Sequence, residues 1–392
     1  MEIPPQGKAA WQVVPLHQVC RFKPSKSICR NTLADDAQVS FVPMNDLGEL
    51  VKYFEPKETR TLGEVIKSYT YFADGDVLCA KITPCFENGK LGIARHLRNG
   101  VGFGSSEFVV MRTNAELLPE FLYYFLSRDT FRECGAQVMS GAVGHKRVPN
   151  EYFENLPIPL PSLKEQKRIV AVLDHAFAAL DRARANANAN LADAEKLFES
   201  WVTSVFECGF QHWRTVTLPD ISTNLDRLRV PITQKERKPG NVPYYGASGV
   251  VDRVADYIFD DHLLLVSEDG ANLLARTYPI AFSIAGKSWV NNHAHVLKFD
   301  DRDTQEFVRL YLNSISIEPF VSGMAQPKLN QAALNRIPIP CAEIAVRKRV
   351  VAEAREIWSA SNAARSNYAA QLADIAALRQ SLLQKAFAGE LS

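Results

Sequence analysis

The residues of this sequence best suited to bind another molecule are basic and amide side chains in Gly- and Pro-containing loops. The segment Lys81–Lys90 offers two lysines and an asparagine together with a threonine hydroxyl, namely Lys81, Lys90, Asn88 and Thr83. Such side chains contact phosphate oxygens and the edges of nucleobases. The same composition fits a solvated Gly-Pro turn between two strands, so the segment alone leaves both interpretations open.

Two short basic loops lie at matching places in the two halves of the chain. The first, 144–147, contains His145 and Lys146, and the second, 326–328, contains Lys328. Lysines in such loops can anchor phosphates. Ordinary surface charge is the competing interpretation.

Polar residues of the second half gather in a Gly-rich turn and near predicted strand ends. The candidates are Tyr245, Ser248, Asn272, Lys287, Asn291 and Asn292. Asparagine can pair with adenine, and lysine with guanine, so these side chains are candidate base readers. The tyrosine is equally compatible with a place in the core.

Two histidines, His293 and His295, alternate along a possible strand and supply at most two metal ligands. No cysteine or carboxylate stands at a recognisable metal-site spacing from them, so the sequence favours a structural pair and predicts no metal site. Enzyme motifs are also missing: the segment 286–288 lacks the first glycine of a phosphate loop, and 246–249 has the wrong spacing for a nucleophile elbow. No catalytic residue and no cofactor on this chain is predicted.

Two long amphipathic helices organise the chain, one over Ser162–Phe206 and one near the C-terminus. Their apolar residues recur in alternating steps of four and three, the spacing with which one helix winds around another. At an offset of 181 positions, taken from Pro157 and Pro338, the two helices share identical residues without a gap. The identical pairs include Arg184/Arg365, Asn186/Asn367, Leu191/Leu372, Asp193/Asp374, Leu197/Leu378, Ser200/Ser381 and Phe206/Phe387. The chain is therefore an internal duplication.

The arginines Arg184 and Arg365 fall on the apolar seam in both copies. Their heads either leave the seam along their stems or form polar layers that fix the helix register. Because both copies keep them, the sequence favours the register interpretation.

Each long helix follows a module of short strands and helices. Pattern and turn signals predict strands over 76–80, 108–111, 263–266 and 281–284, and helices over 119–133 and 305–313. The prolines of 156–161 impose an extended segment, with Ser162 as the cap of the next helix and Glu165 as its capping-box partner. Four parts are predicted: 1–161, 162–207, 208–341 and 342–392.

Composition limits the cellular setting. The formal net charge is +1, so a nucleic-acid partner would need local basic surfaces. The sequence shows no apolar run of membrane-spanning length and no signal peptide. Seven cysteines without a CxxC spacing indicate free thiols. We expect a cytoplasmic protein without a membrane partner.

Helices of this length extend roughly 65–70 Å, and their seams are most simply buried against each other in antiparallel fashion. That pairing would place one module at each end of a spacer. Such an arrangement suits duplex DNA with two half-sites.

Several segments together resemble the specificity subunit of type I restriction–modification systems. They are Leu156–Val170, Ala80–Lys90, Tyr244–Val251, Glu268–Asn272, Gly286–His295 and Ser381–Leu391. The resemblance implies an α+β fold: two globular α/β target-recognition domains separated by two long antiparallel coiled-coil helices, with a pseudo-two-fold internal repeat. It implies that each domain reads half of a split DNA sequence and that the chain performs no chemistry.

The resemblance also implies partners. These are double-stranded DNA, two methyltransferase subunits and, in the full complex, two endonuclease/translocase subunits. S-adenosylmethionine, ATP and Mg²⁺ are expected only on those partner subunits. The family's Glu-Gln pair occurs as Glu165-Gln166 at the first long helix, but the second copy has Val346-Arg347, so the second docking surface is expected to differ.

Two rival functions remain at this stage. One is a stand-alone two-site DNA-binding regulator, and the other is a structural adaptor whose modules bind protein or carbohydrate. A methyltransferase reading frame beside this one would argue against both. Salt-dependent binding to duplex DNA would exclude the adaptor.

Overall fold

The computed structural model describes residues 11–142, 144–323 and 325–391. The chain forms two compact units. Unit 1 comprises Met1–Asn186 with Gln371–Ser392, and unit 2 comprises Ala187–Ala370. Each unit is thus one module plus half of each long helix, and not a module alone.

Unit 1 contains most of the shorter elements. Its strands are β1 (Gln12–Pro15), β2 (Cys20–Phe22), β3 (Gln38–Val42), β4 (Tyr53–Phe54), β5 (Glu58–Thr61), β6 (Thr70–Ala73), β7 (Val77–Ala80), β8 (Leu91–Ala94), β9 (Val101–Gly104), β10 (Phe108–Thr113) and β11 (Pro157–Leu160). Its helices are α1 (Leu16–Val19), α2 (Ser27–Thr32), α3 (Leu62–Val65), α4 (Pro119–Leu126), α5 (Asp129–Gln137), α6 (Asn150–Glu154) and the first part of α7 (Leu163–His212). The strands form sheets of order β2-β10-β7-β8-β4 and β5-β3-β9-β6, and β1 pairs with β11.

Unit 2 is built around one larger sheet. Its strands are β12 (Arg214–Val216), β13 (Thr223–Asn224), β14 (Pro239–Gly246), β15 (Gly249–Val254), β16 (Phe259–Ser267), β17 (Ala281–Val290), β18 (Ala294–Lys298) and β19 (Ile339–Cys341). Its helices are α8 (Leu218–Ile221), α9 (Asn272–Ala275), α10 (Arg302–Ser314), α11 (Gln331–Leu334) and the first part of α12 (Ile344–Phe387). The sheet order is β13-β18-β16-β17-β14-β15, and β12 pairs with β19.

Most of the predicted elements are confirmed. The strands predicted over 108–111, 263–266 and 281–284 lie within β10, β16 and β17, and the helix predicted over 305–313 lies within α10. The strand predicted over 76–80 coincides with β7 except for Asp76, which precedes it. The first long helix extends to His212, past the predicted end at Phe206. Ser162 does accept a hydrogen bond from the amide of Glu165 at 3.4 Å. The Glu165 carboxylate pairs with Arg168.

The helix predicted over 119–133 is wrong, because two helices, α4 and α5, occupy the segment. Arg128 adopts an extended backbone (φ −70°, ψ 142°) that interrupts the helix. The break is supported from outside: the side-chain oxygen of Gln380, on α12, accepts from the Asp129 amide at 3.0 Å. A tertiary contact therefore decides a break that local sequence does not announce.

The proline-rich lead-ins are paired strands. In β11, Ile158 lies opposite Val14 of β1, and in β19, Ile339 lies opposite Val216 of β12. Prolines are tolerated in such two-stranded edges because half of the backbone N–H groups face away from the partner. The two lead-ins thus form the same strand pair in each unit, which confirms the internal repeat.

The two long helices run antiparallel within each unit. In unit 1, Arg379 of α12 lies over the ring of Phe177 of α7, with the guanidinium carbon 4.1 Å from the ring centroid. In unit 2, Phe198 of α7 contacts Trp358 of α12, with ring centroids 5.0 Å apart. Further contacts give the direction inside each unit: Arg168 contacts Leu391 whereas Asp181 contacts Arg379, and Ala194 contacts Ser361 whereas Phe198 contacts Trp358. Within each unit the residue number falls along the C-terminal helix segment as it rises along α7, so the predicted antiparallel seam is confirmed there.

The seam arginines do not form tight polar layers. Arg184 is exposed. Arg365 lies 3.9 Å from Glu195, and both side chains are about half exposed. Exposed pairs at this distance contribute about 0–1 kcal/mol, so the structure favours the alternative in which the arginine heads leave the seam.

Gln166, at the start of α7, is completely buried. Its side-chain oxygen accepts from the Leu118 amide at 2.9 Å. Its side-chain nitrogen donates to the carbonyls of Glu116 at 2.8 Å and Pro161 at 2.9 Å. The residue therefore fixes the start of α7 to the loop before α4. In unit 2 the corresponding Arg347 donates to the hydroxyl of Thr304.

We expect Gln166→Leu to destabilise unit 1 by about 3 kcal/mol or more, because each buried backbone group left without a partner costs about 1–3 kcal/mol. Chemical denaturation of the full chain measures the loss. Lys167→Leu, at an exposed position of the same helix, is the matched control. Equal stability of the two variants would contradict the role of Gln166.

No described helix is both long and apolar enough to cross a membrane.

Candidate nucleic-acid interface

In unit 1, the end of β7 meets the short basic loop that precedes α6. Five backbone hydrogen bonds organise this region: two join the loop to the segment after β7, one joins that segment to the residue before β10, and two close the loop on itself. These are Lys81 N to Glu107 O (3.0 Å), Val148 N to Lys81 O (2.8 Å), Thr83 N to Lys146 O (3.0 Å), Arg147 N to Ser140 O (2.8 Å) and Ser140 N to Arg147 O (3.1 Å). We call this set of bonds the loop framework.

Unit 2 repeats the loop framework bond for bond at the end of β16. Its members are Glu268 N to His293 O (2.9 Å), Leu329 N to Glu268 O (2.7 Å), Gly270 N to Pro327 O (3.0 Å), Lys328 N to Ser322 O (2.7 Å) and Ser322 N to Lys328 O (2.9 Å). The same backbone frame therefore presents a different set of side chains in each unit.

The two loop frameworks define which positions are equivalent. Arg147 corresponds to Lys328, because each exchanges two hydrogen bonds with the serine at the start of its loop. The sequence comparison had matched Lys328 with Lys146, and that match is wrong by one position. Arg147 and Lys328 are 181 positions apart, the offset of the long helices, whereas Ser140 and Ser322 are 182 apart, because the loop of unit 1 is one residue longer.

Four of the predicted residues of unit 1 meet at its loop framework: Lys81, Thr83, His145 and Lys146. His145 and Lys146 are exposed. Among the described residues, Lys146 takes part in none of the ion pairs found. It is therefore the cation of this loop best placed to contact a phosphate.

The other two predicted residues of unit 1 face a different segment. The side-chain amide of Asn88 donates to Glu49 at 3.2 Å. The ammonium of Lys90 donates to the Met44 carbonyl at 2.8 Å. Both side chains tie the 81–90 segment to residues 44–49, and the structure does not bring them to the loop framework.

In unit 2, the ends of several strands converge on the loop framework. The Asn291 amide donates to the Tyr245 carbonyl at 3.0 Å, and the Ser267 hydroxyl donates to the Ala247 carbonyl. Ser248, on the turn after β14, is exposed. Two further exposed predicted residues, Asn292 and Lys328, lie beside or within the framework.

The side chains of Asn272, Lys287 and Asn291 are bound to other residues of unit 2. The side chain of Asn272 donates to the Tyr278 carbonyl at 3.0 Å and accepts from the Tyr278 amide at 2.9 Å. Lys287 lies over the ring of Tyr257, 4.6 Å from its centroid. Asn291 is buried and accepts from the His293 amide at 2.8 Å. These contacts hold the turns and strand edges around the framework.

Charged pairs at the two frameworks were missed by sequence reasoning. In unit 1 the guanidinium of Arg147 binds both carboxylate oxygens of Glu107, at 2.8–3.1 Å. This ion pair lowers the pKa of Glu107. In unit 2 the His293 ring lies 2.8 Å from the carboxylate of Asp269. Asp269 and His293 stand in segments that carry the family resemblance, but the two partners of each pair lie 24 and 40 positions apart in the sequence.

A buried charged cluster supports the framework of unit 2 from below. His295 Nδ1 lies 2.6 Å from Asp226, and its Nε2 lies 2.7 Å from the Leu329 carbonyl. Arg229 donates to Glu268 at 2.6 Å. Both ring nitrogens of His295 therefore lie against oxygen atoms of the protein. The cluster fixes the strand on which the framework is built.

Burial alone would raise the pKa of Asp226, but the hydrogen bond from His295 and the amide of Val296 hold it below its usual range. The pKa of Glu268 is lowered against burial in the same way, by Arg229 and by the charges of His295 and Lys328. Both carboxylates are therefore ionised at neutral pH.

The same cluster contains three groups that could ligate a metal, Asp226, Glu268 and His295, with ligand atoms within 4.8 Å of one another. Sequence spacing did not reveal the carboxylates, because Asp226 lies 69 positions from His295. Arg229 already places its positive charge on Glu268. We propose no metal there.

Comparison with known proteins gives one matching family. The sequence model of the type I restriction modification DNA specificity domain (Methylase_S) matches residues 8–189 and 211–345. The specificity subunit of the type I restriction enzyme EcoEI of Escherichia coli is 34% identical over 241 residues, which are 59% of this chain and 39% of that protein. The EcoAI specificity subunit of the same organism is 32% identical over 191 residues, 48% of this chain and 32% of that protein. The matched regions thus span less than half of these relatives' length.

Two solved structures share the fold along the whole chain. The HsdS subunit from Thermoanaerobacter tengcongensis has a TM-score of 0.68 at 20% identity, covering 100% of this chain and 99% of that one. The second is a chain from a structural study of complex assembly and conformational transition in the type I R-M system. It has a TM-score of 0.76 at 20% identity, with full coverage of both chains. The two specificity-domain matches cover most of the sequence, and the chain therefore belongs to the family of type I restriction–modification DNA specificity proteins.

Proposed function

We propose that this chain is the DNA-reading specificity subunit of a type I restriction–modification complex, and that each unit reads one half of a split target. The observation that carries the proposal is the repeated loop framework. One backbone frame, present once in each unit, displays basic and amide side chains that differ between the units. This is the arrangement expected of a scaffold that reads two unlike half-sites.

Within each half-site, the exposed side chains at the framework divide into two roles. Lys146 and His145 are suited to phosphates, because they are exposed and lie at the tip of the loop. Asn292 and Ser248 are suited to base edges, because amides and hydroxyls donate and accept hydrogen bonds there. The chain's task is binding, and it supplies no catalytic group of its own.

The partners follow from this division of labour. Two methyltransferase subunits would bring S-adenosylmethionine to the bound DNA, and two endonuclease/translocase subunits would bring ATP and Mg²⁺ in the full complex. The long helices α7 and α12 are the surfaces we assign to partner docking. Gln166 is buried, so the part of the Glu-Gln pair that a partner can reach is Glu165.

The modified-base pattern of cellular DNA, mapped with the chain present and deleted, tests the proposal. We expect modification at a split sequence to disappear on deletion and to return on complementation. A stand-alone regulator would leave the pattern unchanged. An adaptor would also fail to bind duplex DNA in a salt-dependent way.

We expect Lys146→Ala to weaken binding to every duplex and to make the salt slope shallower by about one unit, because it removes one phosphate contact. Fluorescence anisotropy with a mixed-sequence duplex over a range of salt concentrations measures this. Lys164→Ala, at an exposed position of α7, removes the same charge away from the framework. A Lys146 variant with an unchanged slope would contradict its anchoring role.

A further inference from the structure

Three framework positions carry ionisable side chains in both units. At two of them the acidic or basic type of the residue differs between the units, and at the third a cation is kept. Lys81 corresponds to Glu268, Glu107 to His293, and Arg147 to Lys328. In both units the loop cation is paired with a carboxylate from the strand ends beneath it, but the carboxylate comes from a different position. Unit 1 supplies it before β10, whereas unit 2 supplies it after β16.

The side chains of the paired cations are more exposed than the carboxylates that bind them. The Arg147 side chain is 46% exposed and that of Glu107 is 21% exposed. The Lys328 side chain is 51% exposed and that of Glu268 is 12% exposed, with 3.2 Å between the charged atoms. Each cation therefore faces solvent while its charge is balanced from beneath.

We propose that these carboxylate–cation pairs, Glu107–Arg147 and Glu268–Lys328, are latches that make the loop cation selective. The inference rests on the proposed DNA-reading function. When Arg147 moves to a phosphate it leaves Glu107 without its two-oxygen contact, and when Lys328 moves it leaves Glu268 with Arg229 as its remaining partner. In both units the cation exchanges one anion for another, so the exchange adds little to indiscriminate DNA binding. The cation gains only where the correct half-site also contributes its own contacts.

Two physical arguments support the latch. Partly exposed ion pairs contribute only about 0–1 kcal/mol to stability, so the pair opens at little cost. If the pair served only to stabilise the loop, a duplication would simply retain it at the same positions. Here both units have the pair, although the carboxylate comes from just before β10 in unit 1 and from just after β16 in unit 2. The preserved feature is the neutralised cation itself.

The latch gives Lys328 a behaviour opposite to that of Lys146. Lys146 forms no ion pair among the residues described, so its loss makes the salt slope shallower. Lys328 is paired with Glu268, a carboxylate that it shares with Arg229, so Lys328→Ala is expected to leave the salt slope on mixed-sequence DNA nearly unchanged. It should still relax the preference of unit 2 for its half-site.

The decisive variant is Glu107→Gln in the full chain, together with any partner subunits it needs to bind DNA. Freeing Arg147 should steepen the salt slope on a mixed-sequence duplex by about one unit, so the affinity lost between about 50 and 200 mM salt grows by a further factor of about three to four. Glu58→Gln is the matched control, because Arg60 pairs with that carboxylate at 2.8 Å on β5, outside the loop framework and the long helices.

Selection from a randomised duplex pool gives the second readout. The parent chain should enrich a split sequence, and Glu107→Gln should lose information in one half only. A Glu107→Gln variant that matches Glu58→Gln in slope and in selected sequence would overturn the latch. If instead the parent itself showed no salt-dependent duplex binding, the proposed function would fail, and the two failures are thus distinguishable.

Discussion

Phe387→Ala is expected to destabilise unit 1 by about 3–5 kcal/mol, the usual cost of deleting a buried phenylalanine. Phe387, at the end of α12, is 3% exposed. It packs edge-on against Phe121 and Phe125 of α4, with ring centroids 5.0 and 5.2 Å away. The C-terminal segment of the chain therefore completes the core of the N-terminal module.

Hydrogen exchange resolved by residue is the measurement, because it reports the two units separately. Amides of α4 should lose protection while those of α10 keep it. Leu378→Ala, at a position of α12 that is 49% exposed, is the matched control. Equal loss of protection in both units would mean that Phe387 does not act through the core of unit 1.

The repeat predicts the mirror experiment. Phe206 occupies the position of Phe387 in the first copy, and it packs against Phe307 and Tyr311 of α10 with both ring centroids 5.1 Å away. Phe206→Ala should therefore reduce protection in unit 2. The identity at an offset of 181 is thus more than helical patterning, because the two phenylalanines close equivalent cores.

The sequence was sufficient for regular features set by local rules. The alternating four-and-three seam and the gap-free repeat predicted two long helices and their antiparallel pairing. The pairing of the helices is confirmed within each unit, where Arg379 contacts Phe177 and Trp358 contacts Phe198. Proline geometry predicted the extended lead-ins, although not that each pairs with a strand near the start of its module.

Features set by distant contacts escaped the sequence. The break at Arg128 depends on Gln380, 251 positions from the amide it caps. The ion pair of Arg147 with Glu107 joins residues 40 positions apart. Asp226 meets His295 only because β13 and β18 are neighbours in the sheet. In each case the sequence showed the type of the residue but did not show which distant residue it contacts.

The second large effect is expected from exchanging residues 1–160 for the matching segment of a relative. If each unit reads its own half-site, the modified sequence should change in one half and stay the same in the other. The core of unit 1 sets a condition on this exchange, because the α4 face of the incoming segment must fit Phe387. If residues 371–392 are exchanged together with 1–160, both sides of that contact come from the same donor protein.

Mapping modified bases in cells that carry each chimera decides the outcome. Both chimeras should give the same new half-site, and the one that also carries the donor's 371–392 should be the more stable, because its core is matched. Residues 371–392 exchanged alone should leave the modified sequence unchanged. If that C-terminal exchange altered the sequence, the segment would take part in reading. If both halves changed with residues 1–160, the half-sites would not be read independently, and the repeated loop frameworks would have to act on one shared stretch of DNA.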